Sequence, residues 1–372
     1  MDNSIRVLQV FASLNMGGAE SRMMDVYRHL DKSEVKFDFV TLTKGDQYYV
    51  NEIEALGGTV FYIDSPRDVG IKKHISQLYE CMRSGKYDAV HAHTSYHCGL
   101  VMLAAKLAKI PVRISHARTN GSQTQKNTID ITIKLGRFLI NNFSTHRFAI
   151  SKSAGEYVFG KKSHYEVVPN AIDVDKYFNV SPSEIEDLRN EFDLNEDSFV
   201  IGQIGRFDIM KNHTFTVKWF SQYVKSNSNA VLFFVGNGPL QDEIMDECNK
   251  LGISDKVFFT GVRNDVEKII HIFNLLFFPS LFEGLGGVVL EAQAAGVPVV
   301  QSEAIPAESD LGIGLIKRCS LNDKLDNWNK AVDEFSHTLI PSISDRKSAF
   351  DRAGYTIDST VKKYVNTYRG LY

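Results

Sequence analysis

Two glutamates, an arginine and a lysine stand at or just beyond turns where their charges could meet a phosphorylated, hydroxyl-rich ligand. Glu283 and Glu291 frame the segment Phe282-Glu283-Gly284-Leu285-Gly286-Gly287-Val288-Val289-Leu290-Glu291. The apolar run Leu275–Pro279 before it reads as a strand, and a helix follows that ends near Gly296-Val297-Pro298. Glu283 then lies in a strand-to-helix loop whose glycines present backbone N–H groups at a helix start, where anions are favoured. Glu291 falls about one turn inside the helix. Two such carboxylates suit vicinal hydroxyls, since each accepts from two O–H groups. Glu spacing alone would equally describe an ordinary surface helix, and it is the flanking Gly-Leu-Gly-Gly and Glu-Ala-Gln-Ala-Ala-Gly-Val-Pro that give it weight. A second segment, Gly205-Arg206-Phe207-Asp208-Ile209-Met210-Lys211-Asn212, follows the strand-like Phe199–Ile204. The planar fork of Arg206 and the point charge of Lys211 suit a diphosphate, though the same residues alone would equally describe a solvated surface loop. A third, Asn15-Met16-Gly17-Gly18-Ala19-Glu20, joins the strand-like Ile5–Phe11 to a helix. It lacks the three spaced glycines of a dinucleotide fingerprint.

The elements that must carry these turns alternate along the chain, short β-branched runs with helical-length segments, the signature of parallel α/β units. Strands are expected at Ile5–Phe11, Phe37–Thr43, Thr59–Asp64, Ala89–His93, Val112–His116, Arg147–Ile150 and Tyr165–Val168. The series restarts at Phe199–Ile204, Ala230–Val235, Val257–Thr260, Leu275–Pro279, Pro298–Gln301 and Gly314–Lys317. The polar stretch Asp173–Asp197 between the series suits a connection. At 372 residues the chain is too long for one ordinary core. The expected architecture is two doubly wound domains facing across a cleft, residues 1–175 and 176–355. A terminal helix over 356–372 returns to the first, with Ile357, Val361, Tyr364 and Tyr368 on one face.

Net charge is −3, which disfavours nucleic acid as a partner. The charge is uneven: residues 1–180 hold 23 Lys and Arg against 18 Asp and Glu. Within them Val101–Tyr165 carries eleven basic and two acidic residues, and its segment Lys126–Phe143 has an amphipathic helical pattern. Such a helix either packs on its own domain or lies on anionic lipid, with Leu135, Leu139 or Phe143 inserting. The four cysteines, 81, 98, 248 and 319, match neither a disulfide framework nor zinc spacing and read as buried thiols. Met1-Asp2-Asn3-Ser4 runs directly into a strand, so no signal peptide is expected, and no apolar run reaches membrane-span length. A cytoplasmic protein, at most peripheral on a membrane, is the expectation. His91, His93 and His97 superficially suggest a metal site, but carboxylates near them are few, and packed or cleft-lining histidines are the simpler reading.

Taken in order and spacing, these motifs resemble the retaining, nucleotide-sugar-dependent glycosyltransferases of family 4, which have the GT-B fold. The resemblance spans nearly the whole chain. It rests on Gly17-Gly18, Val168-Pro169-Asn170-Ala171-Ile172-Asp173, Gly205-Arg206…Lys211, Gly236-Asn237-Gly238-Pro239-Leu240, Phe259-Thr260-Gly261-Val262 and Glu283…Glu291. Among subfamilies it is similar to bacterial enzymes that extend capsular or extracellular polysaccharide.

The resemblance implies that Arg206 and Lys211 neutralise the donor diphosphate and that Glu291 holds the ribose hydroxyls. Glu283 contacts the transferred sugar, near the N–H groups of Gly284, Leu285, Gly286 and Gly287. Val262 offers main chain to the nucleobase, Gly18 approaches the phosphates, and His116 lies near sugar and acceptor. It further implies a UDP-sugar donor, a glycan or lipid-linked glycan acceptor, and no required cofactor or metal. Asn212 stands where many members have glycine, and Gly286-Gly287 stands where many have proline or another residue. A nucleotide-sugar epimerase or hydrolase on the same architecture, and a silent glycan-binding partner subunit, are the alternatives.

Overall fold

The computed structural model describes residues 4–119 and 131–371. Contacts divide the chain into two compact units, Met1–Ile172 with Gly354–Tyr372, and Asp173–Ala353.

In the first unit seven parallel strands are β1 (Ile5–Phe11), β2 (Val35–Thr41), β3 (Val60–Tyr62), β4 (Ala89–Ala92), β5 (Val112–Ala117), β6 (His146–Ala149) and β7 (Glu166–Val167). Their order is β3-β2-β1-β4-β5-β6-β7, so the winding reverses between β1 and β4. Strand β1 pairs with both β2 and β4, as in Leu8↔Asp38 and Leu8↔Val90. Buried on both faces, it reads as an almost unbroken apolar run rather than an alternation. Helix α1 (Gly18–His29) follows β1, and helix α2 (Cys98–Leu107) follows β4 through a short turn.

Helix α3 (Ile131–Phe143) corrects the reading of the basic amphipathic segment. Lys126, Ile129 and Asp130 lie outside the described residues. Leu139 is buried against the unit and cannot insert into lipid, whereas Ile131, Leu135 and Phe138 are exposed. Arg137 donates to the carbonyls of Tyr157 and Val158, so its charge serves local structure. Helices α2 and α3 approach closely enough that a Cβ on Gly99 would come within 2.7 Å of the Gly136 carbonyl oxygen. Beside them lies a largely apolar cavity of about 420 Å³, lined among others by Ile71, Tyr96, Leu100, Leu135 and Leu139.

The terminal helix α5 (Ile357–Tyr368) buries Ile357, Tyr364 and Tyr368 in the same apolar cluster as Val7, Tyr27, Phe37 and Phe148. Tyr364 stacks on Phe148 at 6.3 Å, and Tyr368 meets Phe37 edge-on at 5.9 Å. A helix this short is marginal alone, so the buried tyrosine face holds it in place.

The second unit holds β8 (Phe199–Ile204), β9 (Ala230–Val235), β10 (Val257–Gly261), β11 (Leu275–Phe278), β12 (Val299–Ser302) and β13 (Ile316–Cys319). Their order, β10-β9-β8-β11-β12-β13, reverses between β8 and β11. Helix α4 (Gly287–Ala295) follows β11 and ends at Gly296 in a left-handed cap. The polar stretch expected as a connection instead folds within this unit as helices Asp175–Phe178 and Pro182–Glu191. The reason is local: Ser181 and Glu184 form a reciprocal capping box, Pro182 opens the helix, and Leu188 is buried beneath it. The cysteines are free thiols, with Cys98, Cys248 and Cys319 buried and Cys81 only half-buried. No helix among the described residues is long and apolar enough to cross a membrane.

Candidate active site

Ligands of open parallel sheets bind beyond the carboxyl ends of the strands where the winding reverses. In the second unit that place lies past β8 and β11, and the loops there carry Arg206, Lys211 and Glu283. The β8 loop closes as a tight turn in which the Asp208 carboxylate accepts from the N–H groups of Met210 and Lys211. Asn212 follows in the left-handed region, at φ 56°, a conformation asparagine tolerates where most residues do not. The loop is tied to its neighbour: Leu281 N donates to Met210 O at 2.8 Å, and Asn212 Nδ2 to Pro279 O at 3.1 Å.

Across this junction Lys211 Nζ lies 2.6 Å from Glu283 Oε1, with the two side chains only 17% and 14% exposed. The ammonium also sits 4.6 Å from the centre of the Phe278 ring. The cation and the carboxylate therefore form an ion pair across the two loops. Arg206 is exposed, and its guanidinium has no hydrogen bond or ion pair among the described residues. Phe207, between the two cations, is buried and stacks on His213 at 4.2 Å. Burial and the Lys211 charge push that imidazole down to about 3, so it stays neutral.

Glycine Gly286 caps α4 at φ 84°, where a side chain would be strained. Gly287, the first helical residue, has open space where a Cβ would project. Leu285 is buried and pins the loop, and Gly284 lies between it and Glu283. Glu291, one turn into α4, is 6% exposed. A carboxylate this buried costs free energy unless it is satisfied. Val262 follows β10 and is half exposed. The motif Gly236-Asn237-Gly238 serves packing: a Cβ on Gly236 would meet Gly205 O at 2.3 Å, and one on Gly238 would meet Phe207 O at 2.5 Å. Both glycines let the β9 turn hold the Arg206 loop, where Phe207 N donates to Asn237 O.

Gly18 and His116 belong to the first unit. Gly18 opens α1 past β1, again with open space at its Cβ position. His116 lies on β5 and is 1% exposed. It gathers with His91 and His93, their ligand atoms all within 4.8 Å of one another. Burial, with the nearby Arg118 charge, holds all three well below the usual imidazole range. Hydrogen bonds occupy both nitrogens of His91 and His93, and of the six ring nitrogens in the cluster only His116 Nε2 has no hydrogen-bond partner among the described residues. His97 lies apart, paired with His74 at 2.8 Å.

The sequence reading missed Gln9, Arg118 and the hydroxyl of Tyr368, all of which touch this cluster. A polar Gln9 inside the apolar run of β1, and a tyrosine on the buried face of α5, are the signals that could have found them.

Comparison with known proteins names the class that this fold and site define. Residues 16–176 match the model of glycosyltransferase family 4, and residues 184–311 that of the glycosyl transferases group 1. The chain is 31% identical over 369 residues to EpsF of Bacillus subtilis (strain 168), a protein assigned by name to the glycosyltransferases, with 98% of this chain and 96% of that one covered. It belongs to this glycosyltransferase family, with two Rossmann-like domains of the GT-B class. It is 28% identical over 310 residues, 80% of this chain and 81% of the other, to the capsular polysaccharide biosynthesis glycosyltransferase CapH of Staphylococcus aureus. Among solved structures, Anabaena HepE in complex with UDP shares the fold at a TM-score of 0.81 and 20% identity, with 99% of this chain and 100% of that one covered.

Proposed function

We propose that this glycosyltransferase moves a sugar from UDP to a glycan hydroxyl with retention of anomeric configuration, the acceptor being a lipid-linked oligosaccharide of a surface polysaccharide. The observation that carries the proposal is the constellation at the β8/β11 reversal: an exposed Arg206, the Lys211–Glu283 pair, and an open helix start at Gly287 with the buried Glu291 behind it. UDP as the nucleotide accords with the HepE complexes with UDP and UDP-glucose. A polysaccharide acceptor accords with the name of CapH.

In this reading Arg206 and Lys211 bind the two phosphates, and N–H groups of Gly284 to Gly287 complete the anion site. Glu291 accepts from the ribose hydroxyls, and Glu283 turns to hydroxyls of the transferred sugar. Val262 main chain borders the base. Gly18 lets backbone approach the phosphates, and His116 donates to an oxygen of the sugar or acceptor. The acceptor hydroxyl attacks the face from which the diphosphate departs, through an oxocarbenium-like transition state. As negative charge grows on the departing oxygen, the fixed cations stabilise it, and that oxygen takes the acceptor's proton. Charge supplied by Arg206 and Lys211 stands where other transferases use a divalent ion, so no metal is required.

The exposed Ile131, Leu135 and Phe138 on α3, within a basic stretch, support peripheral contact with an anionic membrane carrying such an acceptor. The test of the donor site is kinetic. Arg206→Ala should lower turnover about 10²-fold at saturating donor, because the lost charge acts mainly in the transition state. Wild-type turnover in that variant would overturn the assignment.

A further inference from the structure

The polar groups buried beneath β4 and β5 form one directed chain, and its direction is set by a group that can only donate. Arg118 Nε lies 3.2 Å from His93 Nδ1, and a guanidinium has no acceptor. His93 Nδ1 therefore accepts, and in a neutral imidazole Nε2 then carries the proton. It donates to Gln9 Oε1 at 3.0 Å. The other end of that amide, Gln9 Nε2, donates to the Tyr368 hydroxyl at 3.2 Å. The hydroxyl proton has no other acceptor among the described residues, so it is donated to His91 Nδ1 at 2.8 Å rather than left buried without a partner. His91 Nε2 must then be protonated, and it donates to His116 Nδ1 at 3.1 Å. At the end stands His116, with Nδ1 filled as an acceptor, so its proton is on Nε2, which makes no well-formed hydrogen bond among the described residues, the Val168 backbone being the one group of the fold that acts on this ring as an acceptor.

We propose that Tyr368, together with Gln9, His91, His93 and Arg118, holds His116 in its Nε2–H tautomer, presenting a neutral hydrogen-bond donor to a substrate oxygen. Tyr368 is thus a positioning residue for the transfer site, contributed by the terminal helix from 252 residues further along the chain. This inference rests on the reading in which His116 meets substrate. The alternative ligand for three gathered histidines, a metal ion, would need lone pairs on nitrogens that the chain of donors already occupies.

The chain also explains why so polar a cluster tolerates burial. Gln9, His91 and His116 are each at most 1% exposed, yet each of their side-chain nitrogen and oxygen atoms has a hydrogen-bond partner among the described residues except His116 Nε2. A buried donor left without a partner is costly, and its retention at the end of an otherwise satisfied network points to a ligand atom that completes it.

The experiment is long-range proton–nitrogen NMR on the full chain carrying ¹⁵N-histidine, assigned through single His→Gln variants, alongside steady-state kinetics. All three of His91, His93 and His116 should show the Nε2–H tautomer pattern at neutral pH. An Nδ1–H or doubly protonated His116 in the wild-type spectrum would overturn the proposal outright. Tyr368→Phe keeps the ring packing but removes the relay at its middle. His116 should then lose its single tautomer, and kcat should fall about 3- to 10-fold with the donor KM within about twofold. Retention of both the wild-type tautomer and kcat in Tyr368→Phe would refute the relay. His116→Ala separates the two layers. Full activity there, with the predicted tautomers intact in the parent, would discard the role of His116 at substrate and leave the relay standing as structure.

Discussion

Replacing Glu283 with glutamine should tighten UDP binding while it cripples transfer. The Glu283 carboxylate lies 2.6 Å from Lys211 Nζ. A diphosphate oxygen held by the same ammonium would sit about 5 Å from that carboxylate, a repulsion of about 1–3 kcal/mol for effective dielectric constants between bulk water and a protein surface. The pair is partly exposed, so the low end of that range, about 1 kcal/mol or roughly fivefold in Kd, is the expected gain when the charge is removed. UDP lacks the sugar that Glu283 is proposed to hold, so it isolates this electrostatic effect. Titration calorimetry with UDP should therefore give a lower Kd for Glu283→Gln than for the wild type, and a higher one for Lys211→Ala. Turnover with the full donor should fall about 10²-fold or more in Glu283→Gln. Equal or weaker UDP binding by Glu283→Gln would refute the idea that the carboxylate and the diphosphate share one cation.

Other expectations follow from the same geometry. Gly287→Ala should leave thermal unfolding unchanged, because nothing lies within 4 Å of the added methyl, yet raise the donor KM about tenfold by filling the anion site; an unchanged KM would show that the helix start does not face the donor. The buried neutral histidines give stability a pH dependence of fixed sign. His91, His93, His116 and His213 resist protonation in the fold, while in the unfolded chain they take up protons near pH 6.5. Their contribution is therefore complete above that pH and declines as pH falls through it, by about 1 kcal/mol each between pH 7 and 5.5. Denaturant midpoints that stay level across this range would contradict their neutral burial. At the membrane, vesicles containing anionic lipid should bind the chain more tightly than neutral ones, and salt should weaken the contact. Phe138→Ser combined with Lys134→Glu should cut the binding; equal, salt-insensitive association with both vesicle types would remove α3 from that role.

Legibility in the sequence followed how local the determining physics is. Strands buried on both faces, such as Phe199–Ile204 and Leu275–Phe278, announce themselves as apolar runs, and their bounds lie within a residue or two of expectation. The turns after β8 and β11 were equally legible, because glycine and charge spacing encode a loop directly. The Lys211–Glu283 contact was not, since it joins residues 72 apart and depends on which strands become neighbours. The same holds for His91, which lies on β4 two residues before His93 but finds its partners on β5 and α5. Helix α3 shows the limit of periodicity: Arg137 lies on the polar side of the pattern, yet its guanidinium turns to two carbonyls of a neighbouring helix. The capping box at Ser181 was readable and was outweighed by the polarity around it.

Sugar transfer with retention is read from the product itself. The full chain, treated with EDTA, is incubated with a panel of nucleotide sugars and a lipid-linked glycan extracted from membranes, and the elongated product is examined by mass and by the proton coupling at its new anomeric centre. The account predicts that a UDP-sugar is consumed without added metal and that the new linkage keeps the anomeric configuration of the donor. An inverted linkage, release of free sugar without elongation, or activity that appears only when Mg²⁺ or Mn²⁺ is restored would contradict it.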